Sequence, residues 1–318
     1  MPKSLLRIAT RESPLALWQA EFVKDRLLAI HSDLTVEICG FTTEGDRVLD
    51  KSLAKIGGKG LFIKELEHAL LNHEADLAVH SLKDVPHHMI ESLSLAGVCE
   101  RANPSDAFVS PQYARLADLP VGAVVGTSSL RRQAQLLAWR NDLCIQPLRG
   151  NLNTRMAKLE SGAFDAIILA SAGLERLGWK HRIREIIDHA VILPAVGQGA
   201  LGLQIRTDDA ATRARIHGLH HEPSAWCITA ERAMNARLNG SCQVPIAGLA
   251  SLSYSPTNNL GLSLTGLVAK PDGSEVLHVT DSTSTVDLLN AEALGHRVAE
   301  ALLAQGADAI LKALHLPE

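Results

Sequence analysis

Leu77-Ala78-Val79-His80-Ser81-Leu82-Lys83-Asp84-Val85-Pro86 is an apolar run that turns into a polar cluster and is then ended by a proline. The pattern predicts a short buried strand followed by a loop. Ser81, Lys83 and Asp84 then lie where α/β proteins place their ligand chemistry. A carboxylate beside an ammonium group suits a cationic intermediate that also carries acidic substituents. An ordinary solvated Lys–Asp pair at a strand end is the alternative at this point.

The composition indicates a globular protein of two or three domains. The chain has 318 residues, of which 46% are hydrophobic and 21% charged. A net charge of −4 and only 3% aromatic residues argue against a general nucleic-acid surface. The five cysteines contain no Cys-x-x-Cys pair, and neither a signal peptide nor a membrane-spanning run is evident. We therefore expect a cytoplasmic protein without a metal, a membrane partner or a nucleic-acid partner.

Arginines follow several predicted strands at the point where a helix begins. Arg11 precedes a helix with Ser13 as its N-cap and Pro14 as its first residue, and Arg149 follows the strand 144–148. Free backbone N–H groups at a helix start bind anions, and the guanidinium fork matches a carboxylate. These turns predict a ligand with several carboxylates, although Arg11 could instead pair with Glu12 on the surface.

Arg131 and Arg132 lie in the first turn of a predicted helix that Thr127-Ser128-Ser129 caps. Positive charge there opposes the helix dipole and costs about 0.3–1 kcal/mol per exposed residue. Two successive residues that oppose the helix dipole indicate a functional role, here the binding of a polyanionic ligand. Side chains that merely extend into solvent are the alternative.

Two glycine-rich segments are candidates for contact with a ligand. Residues 42–60 have no clear periodicity, and we interpret them as a mobile lid with Asp46 and Lys59, or as a plain solvated loop. In Gly197-Gln198-Gly199 the glycines indicate close backbone approach to something bound, or a bulge in an edge strand.

The pattern changes from about residue 223. A helix to about 238 is followed by a loop with Cys242, by strands at 244–252, 260–269 and 275–280, and by helices at 286–303 and 307–314. This order predicts a small α+β domain. The helix dipole disfavours a thiolate at Cys242, so the residue is a poor redox or protease nucleophile and could be an inert loop thiol.

Taken together, these runs closely resemble the porphobilinogen deaminase family. They keep the family's order and cover most of the chain, although Ser241 stands where the family commonly has a glycine. The matching runs are Arg7–Ala16, Gly57–Phe62, His80–Pro86, Gly126–Arg132, Leu148–Asn151, Leu193–Gly199 and Cys242–Pro245.

The resemblance implies an α/β fold of two type II periplasmic-binding-protein-like lobes plus a small α+β C-terminal domain with a three-stranded sheet. The implied boundaries are 1–99 with 197–218 for the first lobe, 100–196 for the second, and 219–318 for the domain that carries Cys242. Hinges are then expected near Cys99 and Val196.

The resemblance also implies a reaction: stepwise condensation of four porphobilinogen molecules into the linear tetrapyrrole hydroxymethylbilane, with loss of ammonia. A dipyrromethane cofactor joined to Cys242 by a thioether primes it, Asp84 is catalytic, and the enzyme is a monomer. The implied cofactor-binding residues are Ser81, Lys83, Asp84, Thr127, Ser129, Arg131, Arg132, Asp46 and Gly199. The implied substrate-binding residues are Arg11, Ser13, Gln19, Arg149, Arg155, Arg176, Lys59 and Gln198.

A non-catalytic module that clamps a small dicarboxylate between two lobes is the main alternative. It explains the arginines but neither Asp84 beside Lys83 nor the domain with Cys242. An anion-responsive regulator is a second alternative, but the sequence lacks a helix-turn-helix pattern or a basic DNA-binding face.

Overall fold

The computed structural model describes residues 4–47, 63–240, 244–254, 258 and 260–314. The chain forms two compact units, Met1–Ala102 with Gly199–Ala225, and Asn103–Gln198 with Trp226–Glu318. Each unit is described by itself. The division into three domains at the boundaries given above stays a prediction.

Helices and strands alternate through the first two thirds of the chain, and strands then dominate before two final helices. In chain order the elements are β1 Ser4–Arg11, α1 Pro14–Ile30, β2 Leu34–Phe41, α2 Glu44–Arg47, α3 Lys64–Leu71, β3 Leu77–Ser81, β4 Leu93–Val98, β5 Asp106–Val109, β6 Val124–Gly126, α4 Leu130–Trp139, β7 Cys144–Gln146, α5 Leu152–Glu160, β8 Ala166–Ala170, α6 Ser171–Arg176, β9 Glu185–Ile186, β10 Leu201–Arg206, α7 Ala210–Ile216, α8 Glu222–Arg237, β11 Ile246–Tyr254, β12 Leu260–Ala269, β13 Val276–Thr283, α9 Leu288–Ala304 and α10 Ala307–Ala313.

The first unit contains a five-stranded sheet in the order β2-β1-β3-β10-β4. Strands β1, β2 and β3 are parallel, whereas β10 runs antiparallel to both of its neighbours. Helix α1 packs Val23 and Leu27 against Ile8 and Leu77 of the sheet. As predicted, Ser13 caps this helix by accepting a hydrogen bond from the backbone N–H of Ala16 (3.4 Å).

The second unit repeats this arrangement with the sheet β7-β6-β8-β5-β9. Strands β6, β7 and β8 are parallel, and β5 is antiparallel to its neighbours. In both sheets the antiparallel strand is the first one after the chain has passed from one unit to the other. Two α/β lobes of the same topology confirm this part of the predicted fold class.

The C-terminal part of the second unit is an antiparallel sheet, β11-β12-β13. Its core joins α8, the sheet and α9, with Met234, Leu264, Leu294 and Val298 all fully buried. The predicted α+β domain with three strands is therefore confirmed. The third strand extends to Thr283, three residues beyond its expected end.

Two local expectations were wrong. Strand β7 ends at Gln146 instead of residue 148. The interpretation of residues 42–60 as a lid or solvated loop stays a prediction, because residues 48–60 lie outside the described part of the chain. The strand expected near Gly197 begins only at Leu201, because Gly197 (φ +74°) and Gly199 (φ +88°) have a left-handed backbone that interrupts extended structure. Since β10 is an inner strand, the alternative of an edge-strand bulge is also wrong.

We expect Gly295→Ala in α9 to lower the free energy of unfolding by roughly 1–3 kcal/mol, because the added methyl overpacks the core. An ideal Cβ at Gly295 lies 2.3 Å from the carbonyl oxygen of Ala230 and 2.7 Å from Cβ of Ala233. Helix propensity alone would favour alanine by about 1 kcal/mol. Denaturant unfolding measures the difference.

Ala293→Gly is the matched control, because Ala293 lies on the exposed face of the same helix and reports propensity without packing. An unchanged or higher stability of Gly295→Ala would contradict the close packing of α8 against α9.

Candidate active site

The candidate residues of the first unit gather at one edge of its sheet. Parallel pairing aligns the carboxyl ends of β1 and β2 at Arg11 and Phe41, and Ser81 at the end of β3 is paired with Leu201 at the start of β10. The carboxyl edge of parallel strands is where α/β folds bind ligands. The candidates that the topology places at or just beyond this edge are Arg11, Ser13, Ser81, Lys83, Asp84 and Gly199.

The last two residues of β3 are held from both faces of the sheet. On the α1 side, Gln19 donates a hydrogen bond from Nε2 to Oγ of Ser81 (2.8 Å). On the α3 side, Nε2 of His80 lies 2.8 Å from Oε1 of Gln204, whose own Nε2 donates to Oε1 of Glu67 (3.0 Å). The contacts of His80 and Gln204 are buried and that of Ser81 is partly buried, so the end of β3 is held in place before the polar cluster.

His80 is a neutral imidazole at physiological pH. Burial lowers its pKa to about 4, while the hydrogen bond to Gln204 and the charge of Asp84 act in the opposite direction and the charge of Arg11 acts with burial. Asp84 and Arg11 are therefore both within electrostatic reach of the same ring. The neutral ring therefore adds no positive charge of its own beside Asp84.

Residues Leu82–Asp84 form a 3₁₀ turn directly after β3. Leu82 is buried and donates its backbone N–H to the carbonyl oxygen of Ala200 (3.0 Å), and Val85 closes the turn with a bond to Leu82 (3.1 Å). A Cβ at Gly202 would lie 2.7 Å from side-chain carbons of both Leu82 and Leu95, so a larger residue there would displace the apolar side chain beneath the turn. The turn is thus anchored by its apolar residue, whereas Lys83 and Asp84 are half-buried.

The candidates of the second unit also share one sheet edge. The loops after β6 and β7 are joined by a bond from the N–H of Thr127 to the carbonyl oxygen of Gln146 (2.9 Å), and Asp106 at the start of β5 is paired with Ala170 at the end of β8. Helices α4, α5 and α6 begin just beyond this edge. The candidates on these loops and helices are Thr127, Ser129, Arg131, Arg132, Arg149, Arg155 and Arg176.

Arg131 and Arg132 converge on Asp106, which is fully buried. Nη2 of Arg131 lies 2.7 Å from Oδ2 of Asp106, and Nη2 of Arg132 lies 2.6 Å from Oδ1. Burial alone would raise the pKa of Asp106, but the two guanidinium groups outweigh it and hold this pKa below its usual range. Asp106 is therefore a carboxylate at physiological pH. Arg131 and Arg132 form a buried ion cluster with it, so the alternative of side chains that merely extend into solvent is wrong.

Gln198 belongs to the same cluster. Its amide nitrogen donates to the carbonyl oxygen of Pro104 (2.6 Å) and to Oδ1 of Asp106 (3.0 Å), and the side chain is only 1% exposed. Within the second unit, Gln198 thereby joins the segment before β10 to the start of β5.

Arg149 lies in the loop before α5, whose backbone requires glycine, and Arg155 lies in the first turn of α5. Gly150 has φ +107°, and Nε of Arg155 donates to its carbonyl oxygen (2.8 Å). Asn151 caps α5 by accepting a bond from the N–H of Thr154 (3.0 Å). Both arginines are half-buried, as is Arg176 at the end of α6.

The candidate residues thus form two groups, one at each sheet edge. Lys59 and Cys242 lie outside the described residues, and Asp46 lies in the turn α2 with its side chain outside the description. None of the described helices is long and apolar enough to span a membrane.

Sequence reasoning missed four buried polar residues: Glu67, His80, Gln204 and Asp106. The only available signal was indirect. Two arginines at a helix start need a nearby anion, and Asp106 is the first residue of β5, the first strand after the chain enters the second unit. Nothing local marks Gln204, which lies within an apolar strand.

Two solved structures are distantly similar to this chain. A YaeC-family pheromone precursor/lipoprotein from Enterococcus faecalis is 12% identical over 68% of this chain and 91% of its own, with a TM-score of 0.44. A nutrient binding protein from Burkholderia cenocepacia bound to methionine is 13% identical over 67% and 90%, with a TM-score of 0.42.

Two family models match nearly the whole chain. The porphobilinogen deaminase dipyrromethane cofactor binding domain matches residues 6–214, and the porphobilinogen deaminase C-terminal domain matches residues 225–304. Both sheet edges with their polar clusters lie within the first match. The chain therefore belongs to the porphobilinogen deaminase family.

Proposed function

We propose that the protein condenses four porphobilinogen molecules head to tail into hydroxymethylbilane, releasing one ammonia for each. Family membership itself indicates a transferase of tetrapyrrole biosynthesis. The observation that carries the proposal is the match of both family domains, in order, over residues 6–214 and 225–304. The arginine turns and Asp84 supply the residue types that this chemistry needs.

The residues of the second sheet edge fit an anionic cofactor. Each ring derived from porphobilinogen carries an acetate and a propionate, and Arg131 and Arg132 share a single carboxylate, Asp106. The residues that would hold dipyrromethane are Ser81, Lys83, Thr127, Ser129, Arg131 and Arg132, with Asp46 and Gly199 along its path and Cys242 as the thioether anchor. When bound, the group supplies the primer to which substrate is joined.

Asp84 is proposed to stabilise positive charge on the substrate. When the C–N bond of the protonated aminomethyl group breaks, its electron pair leaves with ammonia and the pyrrole becomes an electron-poor cation. A carboxylate that faces this cation and accepts from the pyrrole N–H lowers the barrier electrostatically. Because His80 is neutral, it adds no positive charge that would weaken the attraction between Asp84 and this cation.

The incoming substrate is proposed to be held by Arg11, Ser13, Arg149 and Arg155, and the growing chain by Arg176 and Lys59. Gln19 and Gln198 are 2% and 1% exposed, so we assign them a supporting role through their contacts. The three domains, the hinges near Cys99 and Val196, the monomeric state and the cytoplasmic location belong to the same proposal.

The denatured intact mass of freshly purified protein is expected to exceed the sequence mass by two pyrrole units. Cys242→Ser should abolish the excess, because it removes the sulfur of the thioether. Cys144→Ser, at an exposed cysteine, is the control and should keep it. An active protein with unmodified mass would refute the covalent primer.

Asp84→Asn should lower kcat on the order of 10²–10³-fold, because an amide cannot balance the cationic intermediate. The mass excess should remain, which separates catalysis from cofactor attachment. Asp208→Asn, an exposed carboxylate beyond the opposite edge of the same sheet, is the control. Undiminished turnover of Asp84→Asn would remove Asp84 from the mechanism.

A further inference from the structure

The cluster around Asp106 carries an unbalanced charge. Arg131 and Arg132 are 4% and 6% exposed, and their ion pairs within the described residues are both with Asp106. The charged groups that act on Arg131 are Asp106, which attracts it, and Arg132, which repels it. Arginine does not deprotonate in proteins. Two buried cations and one anion leave one positive charge.

Buried charges of this kind are costly unless they are paired. The cluster therefore favours one further anion of unit charge. A carboxylate is suited to that position, because guanidinium N–H donors remain on both arginines after their described contacts.

The orientation of both guanidinium groups is fixed by the protein. Nη1 of Arg131 donates to the carbonyl oxygen of Leu193 (2.7 Å), and Nη1 of Arg132 donates to that of Ile168 (2.9 Å). Nε and Nη2 of Arg132 both donate to Oδ1 of Asp106 (3.1 and 2.6 Å). Asp106 thus fixes the direction of the remaining guanidinium N–H donors and also sets the net charge of the cluster.

We propose that Asp106 is a positioning residue that limits the arginine pair to a net charge of +1, so that the pair receives one ligand carboxylate instead of attracting anions in general. This inference rests on the proposed function only for the identity of the natural ligand. Without Asp106 the two guanidinium groups would carry +2 and lose the acceptor that aligns them. Gln198, which donates to the same carboxylate oxygen, supports Asp106 without changing the charge.

The experiment varies the charge of the cluster in the full-length chain. All variants carry Cys242→Ser, on which the proposed function expects no cofactor, and intact mass verifies the absence of a mass excess. The variants are Asp106→Asn (+2), Arg131→Gln (0) and the double variant (+1). The control is Asp142→Asn, which removes the ion pair between Arg140 and Asp142 beyond the other end of α4.

The probe is sodium succinate at millimolar concentration, compared with sodium chloride of equal ionic strength. The measurement is the shift of the thermal unfolding midpoint at pH 7, since a ligand of the native state stabilises it by RT ln(1 + L/Kd), where L is the free ligand concentration. The parent and Asp142→Asn should show equal shifts. Asp106→Asn should bind succinate on the order of tenfold more tightly, because a nearby negative charge has been removed.

Arg131→Gln should lose the succinate shift while remaining folded, because its cluster is neutral. The double variant should return to a shift near that of the parent. If Asp106→Asn does not fold, the other two variants still test the proposal. Equal shifts in the parent, Arg131→Gln and the double variant would overturn it.

Failure of the proposed function would be recognised separately. In chains that keep Cys242, it would appear as the lack of a mass excess or of porphobilinogen turnover, with the succinate series unaffected. In these chains Asp106→Asn should lower the fraction of protein with the mass excess, whereas Asp142→Asn should not. Equal loading of Asp106→Asn and Asp142→Asn would contradict a role of Asp106 in ordering the arginine pair.

Discussion

The burial of two adjacent guanidinium groups is the constraint to which much of the second unit is adapted. Removing a charged group from water costs several kcal/mol, and only close pairing with further hydrogen bonds offsets this cost. Asp106 provides the pairing, and the carbonyl oxygens of Leu193 and Ile168 provide the hydrogen bonds. Strand β8, helix α4, strand β5 and the segment before β10 must therefore all be in place before the cluster is stable. The arginines oppose the dipole of α4, but this unfavourable interaction is small beside the attraction of a buried carboxylate.

The first unit fixes its polar strand end by a different physical means. The buried imidazole of His80 bonds to the amide of Gln204, which donates to Glu67, and the amide of Gln19 separately donates to Ser81. Because burial keeps His80 neutral, this network adds no positive charge behind Asp84. Asp84 follows this strand end in the first unit, whereas the corresponding edge of the second unit carries two guanidinium groups that share one described carboxylate.

The sequence predicted the parts of the fold that depend on local patterns. Ser13-Pro14 marked the start of α1, and apolar runs marked β3 and β8, because capping and periodicity act over a few residues. It also predicted which turns carry the candidate site residues. It could not show that Arg131 and Arg132 are buried, since their counter-ion Asp106 precedes Arg132 by 26 residues and reaches the pair only through the antiparallel strand β5. The left-handed glycines before β10 were likewise ambiguous, because sequence shows that glycine is present but not which backbone angles it adopts.

The strand exchange between the units explains why the supporting contacts lie where they do. Each sheet receives its antiparallel strand directly after a crossing, so residues beside the crossing come to lie at a carboxyl edge. Gln198 bonds to Pro104 and Asp106 in the second unit, and two residues later the carbonyl oxygen of Ala200 accepts from Leu82 in the first. Gly199, the only residue between them, has a left-handed backbone that a side chain would disfavour. The same short segment therefore contributes to the support of the arginine pair and of the turn with Asp84, and a change in its backbone would disturb both.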